Sequence, residues 1–422
     1  MARRTLADWL EWQERLHPVE IELGLDRVRA VLADMGLARP SCTIVTVGGT
    51  NGKGSCVAVL EALGLKAGRR VGAYTSPHLR RYNERIRVDG REVEDDELVN
   101  AFEAVESARG RTSLSYFEYG TVAALEIFRR RGVDLAVLEV GLGGRLDAVN
   151  AVEPQAAVVT SVGLDHLDWL GPDRESIGRE KGGIFRPGRP AVIGDRRPPA
   201  SLLEAAAGDA LRLGIDFDWI DEHAGWSWKR ANRVLRGLPR GALAAPALCD
   251  NAACALAAFD ALWPLESAET VREALAGVRL PGRLQRVPGE VEWWFDVAHN
   301  PDGAAVLAGA LAAAPATGRT VAVLGMLAEK DAAGVAAALE RCVDRWFAAS
   351  LPPPRGLSAE ALAASIAPYV HGTVSACASV EAACRRARDQ ADPGDRIVVF
   401  GSFHTVGPAL GWLELYCAPQ TR

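Results

Sequence analysis

One stretch constrains this chain more than any other: Val45-Thr46-Val47-Gly48-Gly49-Thr50-Asn51-Gly52-Lys53-Gly54-Ser55. The apolar, β-branched run 43–47 reads as a buried strand. It empties into four glycines within seven residues, with one lysine and small hydroxyls among them. Residues 56–63 then read as a helix. Strand, glycine-rich turn and helix together cradle a polyphosphate: backbone N–H groups point inward, the helix N-terminus adds positive potential, and the lysine adds a full charge. The spacing departs from the commonest phosphate loop because Gly54 separates Lys53 from Ser55. An ordinary glycine-rich turn explains neither the lysine nor the flanking strand and helix. The expected fold class is therefore α/β, and the expected ligand a nucleoside triphosphate.

A chain of 422 residues exceeds one typical core, so two or three domains are expected. Hydrophobic residues make up 49% and charged residues 24%, with no low-complexity tract, which excludes a disordered chain. A formal charge of −6 argues against a non-specific nucleic-acid binder; a small anionic substrate needs locally placed Lys and Arg instead. The eight cysteines show no Cys-x-x-Cys pair or zinc spacing and read as reduced structural thiols of a cytoplasmic protein. Arg3 and Arg4 are followed by Asp8, Glu11 and Glu14, which interrupt any signal peptide and make the twin arginine incidental. The longest uncharged run, 303–318, contains Pro315 and is too short to span a bilayer. Neither membrane nor nucleic acid is expected as a partner.

Helical periodicity over 6–16 and 25–35 flanks a connecting loop, 17–24. A short strand at 70–74 runs into Thr75-Ser76-Pro77-His78-Leu79, where Pro77 ends regular structure. Ser76 then stands at a strand's C-terminal end, the edge where open α/β sheets bind ligands; it reads equally as a turn residue. Residues 115–120 open a helix continuing to Arg131. The run 134–141 is a buried strand holding one carboxylate, Glu139, which must be paired, protonated or bound to metal. Beyond a phosphate loop, Mg²⁺ is favoured over a structural ion pair. A further strand, 156–162, leads to Asp165 and His166; a hydrogen-bonding role and a ligand role both stand for this histidine. Arg179-Glu180-Lys181 falls on a helix over 176–185, where a charge run by default lines a solvated face. The alanine-rich helix Pro246–Leu262 carries Asn251 near its start. Residues 280–283 look like a linker, so domains are drawn at 1–280 and 289–422 with 281–288 between them. The smaller part has strands at 293–297, 320–324 and 396–400, ending in polar or glycine residues, so that Asp296, His299 and Ser402 meet at one sheet edge. No repeat of 20–50 residues is present.

The constellation resembles the bifunctional dihydrofolate synthase/folylpolyglutamate synthase family, within the ATP-dependent amide ligases that include the Mur ligases. The motifs are Gly49 to Ser55, Thr75 to Leu79, Phe117-Glu118 and Glu139-Val140-Gly141-Leu142-Gly143-Gly144-Arg145-Leu146-Asp147. They continue through Asp165-His166, Arg179-Glu180-Lys181, Pro281-Gly282-Arg283 and Asp296-Val297-Ala298-His299-Asn300. Mur ligases share the phosphate loop but not 75–79 or 164–171, which favours folate chemistry. The resemblance implies a phosphate-loop N-terminal domain with a mostly parallel sheet and a smaller, Rossmann-like C-terminal domain. It implies ATP contacts from Thr50, Asn51, Gly52, Lys53, Gly54, Ser55, Asn251, Arg283 and Asp296. Dihydropteroate or folate would lie against Glu22, Leu23, Gly24, Ser115, Tyr116, Phe117, Glu118, Leu146, Asp147 and Ala148. Ser76 and Glu139 match ligands of one Mg²⁺, and His166 matches a ligand of a second, shared with Lys181 as a carbamate. His299 and Ser402 match glutamate-side residues; Lys53, His166, Lys181 and His299 carry the catalytic roles. K⁺ is a further candidate cofactor. Ser55 stands where threonine is frequent and Gly182 where alanine is, and neither change removes a required group.

The implied partners are small molecules (ATP, L-glutamate, dihydropteroate and tetrahydrofolate), and a monomer is expected. The implied reaction is ligation of L-glutamate through an acyl phosphate, with His299 or Asp296 orienting or deprotonating the ammonium. Alternatives are a folylpolyglutamate synthase alone, or a Mur-type ligase with another acyl acceptor. A non-catalytic nucleotide switch has no use for a second metal site.

Overall fold

The computed structural model describes residues 4–413 apart from 18, 20, 21, 209 and 266. Part of the expected 17–24 loop, and Arg3, therefore lie outside the described residues. The chain divides into two compact units, Met1–His78 with Tyr82–Val278, and Leu79–Arg81 with Arg279–Arg422.

The first unit is built on eight strands: β1 (Thr43–Gly48), β2 (Val71–Tyr74), β3 (Ile86–Val88), β4 (Arg91–Glu92), β5 (Leu135–Glu139), β6 (Ala156–Val159), β7 (Ala191–Ile193) and β8 (Ala210–Arg212). They lie in the order β4-β3-β2-β5-β1-β6-β7-β8, parallel from β2 to β8, with β3 and β4 antiparallel at one edge. Strands β2, β5 and β6 are buried along their whole length, as a parallel sheet covered on both faces requires. The helices are α1 (Leu6–Leu16), α2 (Asp26–Asp34), α3 (Lys53–Lys66), α4 (Asp95–Arg109), α5 (Tyr116–Arg131), α6 (Leu167–Leu170), α7 (Arg174–Gly182), α8 (Ala200–Ala205), α9 (Pro246–Leu262) and α10 (Ala268–Gly277). Close approach of α3 is possible because Gly64 abuts Val71 and Leu135. Helix α5 lies on the opposite face, where the Phe128 ring sits against Gly72. Its start is specified locally: Ser115 and Glu118 form a reciprocal capping box, and Gly132 closes the far end at φ 61°.

An antiparallel sheet of β9 (Phe217–Glu222), β10 (Gly225–Arg230) and β11 (Arg233–Leu238) follows β8. Local sequence pattern does not predict it. It is recognisable afterwards from Trp226 and Trp228, alternate residues whose side chains are wholly buried.

In the second unit β12 (Gln285–Val287), β13 (Glu292–Asp296), β14 (Thr320–Leu324), β15 (Arg345–Ala349), β16 (Thr373–Cys377) and β17 (Arg396–Phe400) take the order β12-β13-β17-β14-β15-β16. All pairs are parallel except β12–β13, so the unit is Rossmann-like. Strand alternation divides its interior into two cores. Trp294, Ala322, Trp346 and Val398 face α11 (Pro301–Ala313), α12 (Ala332–Leu339) and α13 (Ala359–Ile366). Trp293, Val321, Phe347 and Ile397 face α14 (Val380–Asp389) and α15 (Phe403–Trp412).

The stretch 281–288 is not simply a linker, because Gln285–Val287 pairs antiparallel with β13 and supplies a sheet edge. Strands β15 and β16 were not foreseen; β16 carries Thr373 and Ser375 and is only half-buried, so its pattern is weak.

A methyl group added at Gly72 would lie 2.6 Å from the Phe128 ring. Gly72→Ala should therefore lower stability by about 1–3 kcal/mol through overpacking. A fall in the urea midpoint at unchanged slope is the expected result.

Candidate functional site

Sheet order decides what meets what. Because β2, β5, β1 and β6 are neighbours, the loops after them open side by side at one edge. Ser76 follows β2, Glu139 ends β5, the glycine loop follows β1, and His166 follows β6. The Ser76 N–H donates to Glu139 Oε2 at 3.4 Å, and Glu139 is buried.

The loop after β1 has no room for side chains at two positions. A Cβ on Gly49 (φ 141°) would lie 1.9 Å from Thr160 Oγ1, and one on Gly52 (φ 88°) 2.3 Å from Asn251 Oδ1. Asn251, on α9, thus closes against the loop. The loop is also stitched to the segment after β6. Thr50 N donates to Ser161 O at 2.8 Å, Asn51 N to Ser161 Oγ at 3.0 Å, and Thr160 Oγ1 to Asn51 O at 2.6 Å. The Thr50 hydroxyl accepts from Gly163 N at 2.9 Å and reaches Gly163 O at 3.2 Å. These groups of Thr50 and Asn51 therefore shape the site from within. Helix α3 has no side-chain cap at its N-terminus, where Lys53 donates to the carbonyls of Gly49 (3.0 Å) and Thr50 (3.2 Å). Two residues on, Ser55 Oγ is buried with no hydrogen-bond partner. An uncapped helix start, a buried orphan hydroxyl and a lysine at a bulk-free loop fit a bound polyphosphate.

Lys181 departs from the solvated face expected of its charge run. It is 4% exposed, whereas Arg179 beside it is exposed and Glu180 pairs with Arg145 at 2.8 Å. The last turn of α7 presses on the loop after β5, with Arg145 N donating to Glu180 O at 2.8 Å. Burial first, and the like charge of Lys53 second, lower the Lys181 ammonium to about 7; Asp165 and Asp147 pull the other way. A fall from 10.5 to about 7 is on the order of 5 kcal/mol against the charged form, so the two carboxylates do not offset burial. His166 is held in the left-handed region at φ 54°, with its N–H on Asp165 Oδ1 at 2.9 Å. Among the described residues no three His, Cys, Asp or Glu side chains cluster. The donors gathered here are a hydroxyl, a carboxylate, an imidazole and a lysine.

The three stretches expected to hold the folate also meet. Gly24 N donates to Leu146 O at 3.2 Å, and Arg27 Nη2 reaches Glu118 Oε1 at 2.9 Å while Nη1 pairs with Glu22. The Phe117 ring lies against Gly141 and 5.7 Å from the Tyr74 ring. Two carboxylates in this group serve the fold. Glu118 accepts from Ser115 N at 2.7 Å. Asp147 accepts from the N–H groups of Gly141, Leu142 and Val149 at 2.9, 2.9 and 3.0 Å. Burial pushes the Asp147 carboxyl up to about 6 against the pull of those donors. Arg27 was not anticipated, since a lone arginine early in a helix carries no signal until its partners are known.

In the second unit Asp296 ends β13 and Ser402 lies just past β17, directly alongside. Asp296 accepts from Leu284 N (2.8 Å) and Ala298 N (2.7 Å), and burial raises it to about 6. His299 Nδ1 lies 2.8 Å from Val297 O; a carbonyl only accepts, so Nδ1 is the donor, and Nε2 is the acceptor nitrogen whenever the ring is neutral. Ser402 Oγ accepts from His404 N at 3.0 Å and caps α15. Arg283 lies over the Phe403 ring at 5.7 Å.

The chain is similar to known proteins along nearly its whole length. The Mur ligase middle domain family matches residues 47–233, and the Mur ligase, glutamate ligase domain family matches 282–403. The chain is 45% identical to the dihydrofolate synthase/folylpolyglutamate synthase of Escherichia coli (strain K12), over 96% of this chain and 94% of that one. It is 38% identical to the Haemophilus influenzae protein of the same name, over 96% and 97%. Among solved structures, E. coli FolC in complex with DHPP and ADP superposes with a TM-score of 0.93 at 43% identity, over 98% of this chain and 99% of that one. A bifunctional folylpolyglutamate synthase/dihydrofolate synthase with Mn, AMPPNP and L-glutamate bound gives 0.90 at 44%, over 98% of each.

Removing the Asp147 carboxylate would strand three backbone donors. Asp147→Ala should destabilise by about 3 kcal/mol or more, measured by chemical denaturation, whereas Asp147→Asn, which keeps an acceptor oxygen, should lose less.

Proposed function

The chain belongs to the dihydrofolate synthase/folylpolyglutamate synthase family of ATP-dependent Mur-type ligases, and on that premise we propose that it joins L-glutamate to dihydropteroate and to the γ-carboxylate of tetrahydrofolate glutamates. The observation that carries the reading is that the glycine loop, Ser76, Glu139 and His166 follow neighbouring strands of one sheet, with the buried Lys181 near enough to Lys53 and Asp165 to feel their charges.

The substrate carboxylate attacks the γ-phosphorus of ATP in line; the bond to the β–γ bridging oxygen breaks, leaving an acyl phosphate and ADP. The ammonium of Lys53 and the open N–H groups of α3 bind the phosphate oxygens and stabilise charge as it spreads. Glutamate then attacks the acyl carbon as a free amine, an amide bond forms, and phosphate leaves. In the neutral ring His299 Nε2 accepts the ammonium proton, and Ser402 helps to seat the amino acid. Ser76 and Glu139 would hold one Mg²⁺, and His166 with Lys181 would hold the second. When bound, these ions neutralise phosphate charge and fix its orientation. Lys181 becomes a metal-binding group only as a carbamate: its amine bonds to CO₂ and loses one proton. Burial supports this, because it favours the neutral amine that the addition needs. The Glu22–Gly24, Ser115–Glu118 and Leu146–Ala148 stretches form the pterin side, and K⁺ is proposed as an accessory cation.

Phosphate release from ATP with L-glutamate should occur with both dihydropteroate and tetrahydrofolate as acceptor. Turnover with tetrahydrofolate alone would reduce the activity to folylpolyglutamate synthesis, and silence with both would remove the folate reading. In Lys53→Ala, ADP formation should fall at least about 100-fold, the scale expected when a preorganised charge on the transferred phosphoryl is lost.

A further inference from the structure

We infer that Asp195 and Arg174 are positioning residues for the second metal site, locking together the two segments that carry His166 and Lys181. The inference rests on the proposed ligand roles of those two residues. Asp195 lies just past β7, outside every motif discussed above. Its Oδ2 accepts from Val162 N at 2.9 Å and from Arg174 Nη2 at 2.8 Å, and its Oδ1 accepts from Arg197 N at 2.8 Å. Arg174 Nε returns to Val162 O at 2.9 Å, and Nη2 also reaches Arg197 O at 3.0 Å. Both backbone groups of Val162 are thus held by one ion pair.

What this pair joins is specific. Val162 is the root of the loop ending in His166. Arg174 is the first residue of α7, and Lys181 stands seven residues on, two turns later and on nearly the same side of the helix. The neighbouring Gly163 is held separately by the Thr50 hydroxyl. Such rooting is needed because His166 occupies left-handed backbone, which is strained for a non-glycine residue and persists only where the surroundings over-determine it. The first turn of α7 is also held independently of that pair, with Glu175 accepting from Ala200 N (3.0 Å) and Ser201 N (2.9 Å). Helix α7 therefore has a fixed seat, and the Arg174–Asp195 pair sets where the His166 loop lies against it.

The test is Mn²⁺ titration in the presence of AMPPNP, counted by electron paramagnetic resonance, with the Lys181 carbamate followed by ¹³C NMR after labelling with ¹³C-bicarbonate. Asp195→Asn and, as a second variant, Arg174→Gln should keep the Mn²⁺ at Ser76 and Glu139 within about twofold. They should weaken the second Mn²⁺ at least about 10-fold, the usual scale for groups that orient a ligand, and diminish the carbamate signal. Two Mn²⁺ bound with wild-type affinity and a full carbamate signal in either folded variant would overturn the inference. Equal weakening of both sites would also overturn it, since that marks a general structural defect. His166→Ala separates the underlying reading: if it binds both ions as wild type does, the ligand assignment itself is wrong, whatever Asp195 does.

Discussion

Parallel pairing of β1 between β5 and β6 is the constraint on which the rest of the site depends. The register sets Val47 beside both Glu139 and Val158, so the glycine loop leaves the sheet between a buried carboxylate and the loop that carries His166. Burial holds that register: Val45 and Val47 are almost fully buried, each contributing about 1.5–3 kcal/mol. A one-residue slip would turn these side chains to the opposite face and move Glu139 off the edge. The chemistry therefore inherits its geometry from apolar packing several ångströms below it.

Above the sheet, much of the polar material organises backbone. Thr50, Thr160, Ser161, Asp147 and Glu118 satisfy N–H and C=O groups of loops that a buried edge would otherwise leave unpaired. Two groups are left in a different condition. Ser55 has a buried hydroxyl without a partner, and Lys181 is an amine whose charge burial disfavours. Groups kept short of their ordinary satisfaction, at an otherwise well-bonded edge, are where ligand chemistry is to be sought.

The second unit repeats the logic with a different sheet. Its five parallel strands place Asp296 and Ser402 side by side, and both side chains accept backbone N–H groups that shape their loops. Only its antiparallel edge, β12, departs from the pattern. That edge converts an expected linker into part of the sheet.

By itself the sequence determined the local units: the strand and helix around the glycine loop, the helix opening at 115–120, and the placing of Ser76, Glu139, His166 and Asp296 near strand ends. These follow from periodicity and from residue types whose effects act over a few positions. The tertiary structure decided which strand ends are neighbours and which polar groups are consumed by the fold. The carboxylate of Asp147, a residue placed on the folate side by resemblance, also holds three N–H groups, and Lys181, whose charge run by default lines a solvated face, is buried. Asp195 and Arg174 carried no signal, because hydrogen bonds between residues more than twenty positions apart depend on a strand order that no local pattern specifies.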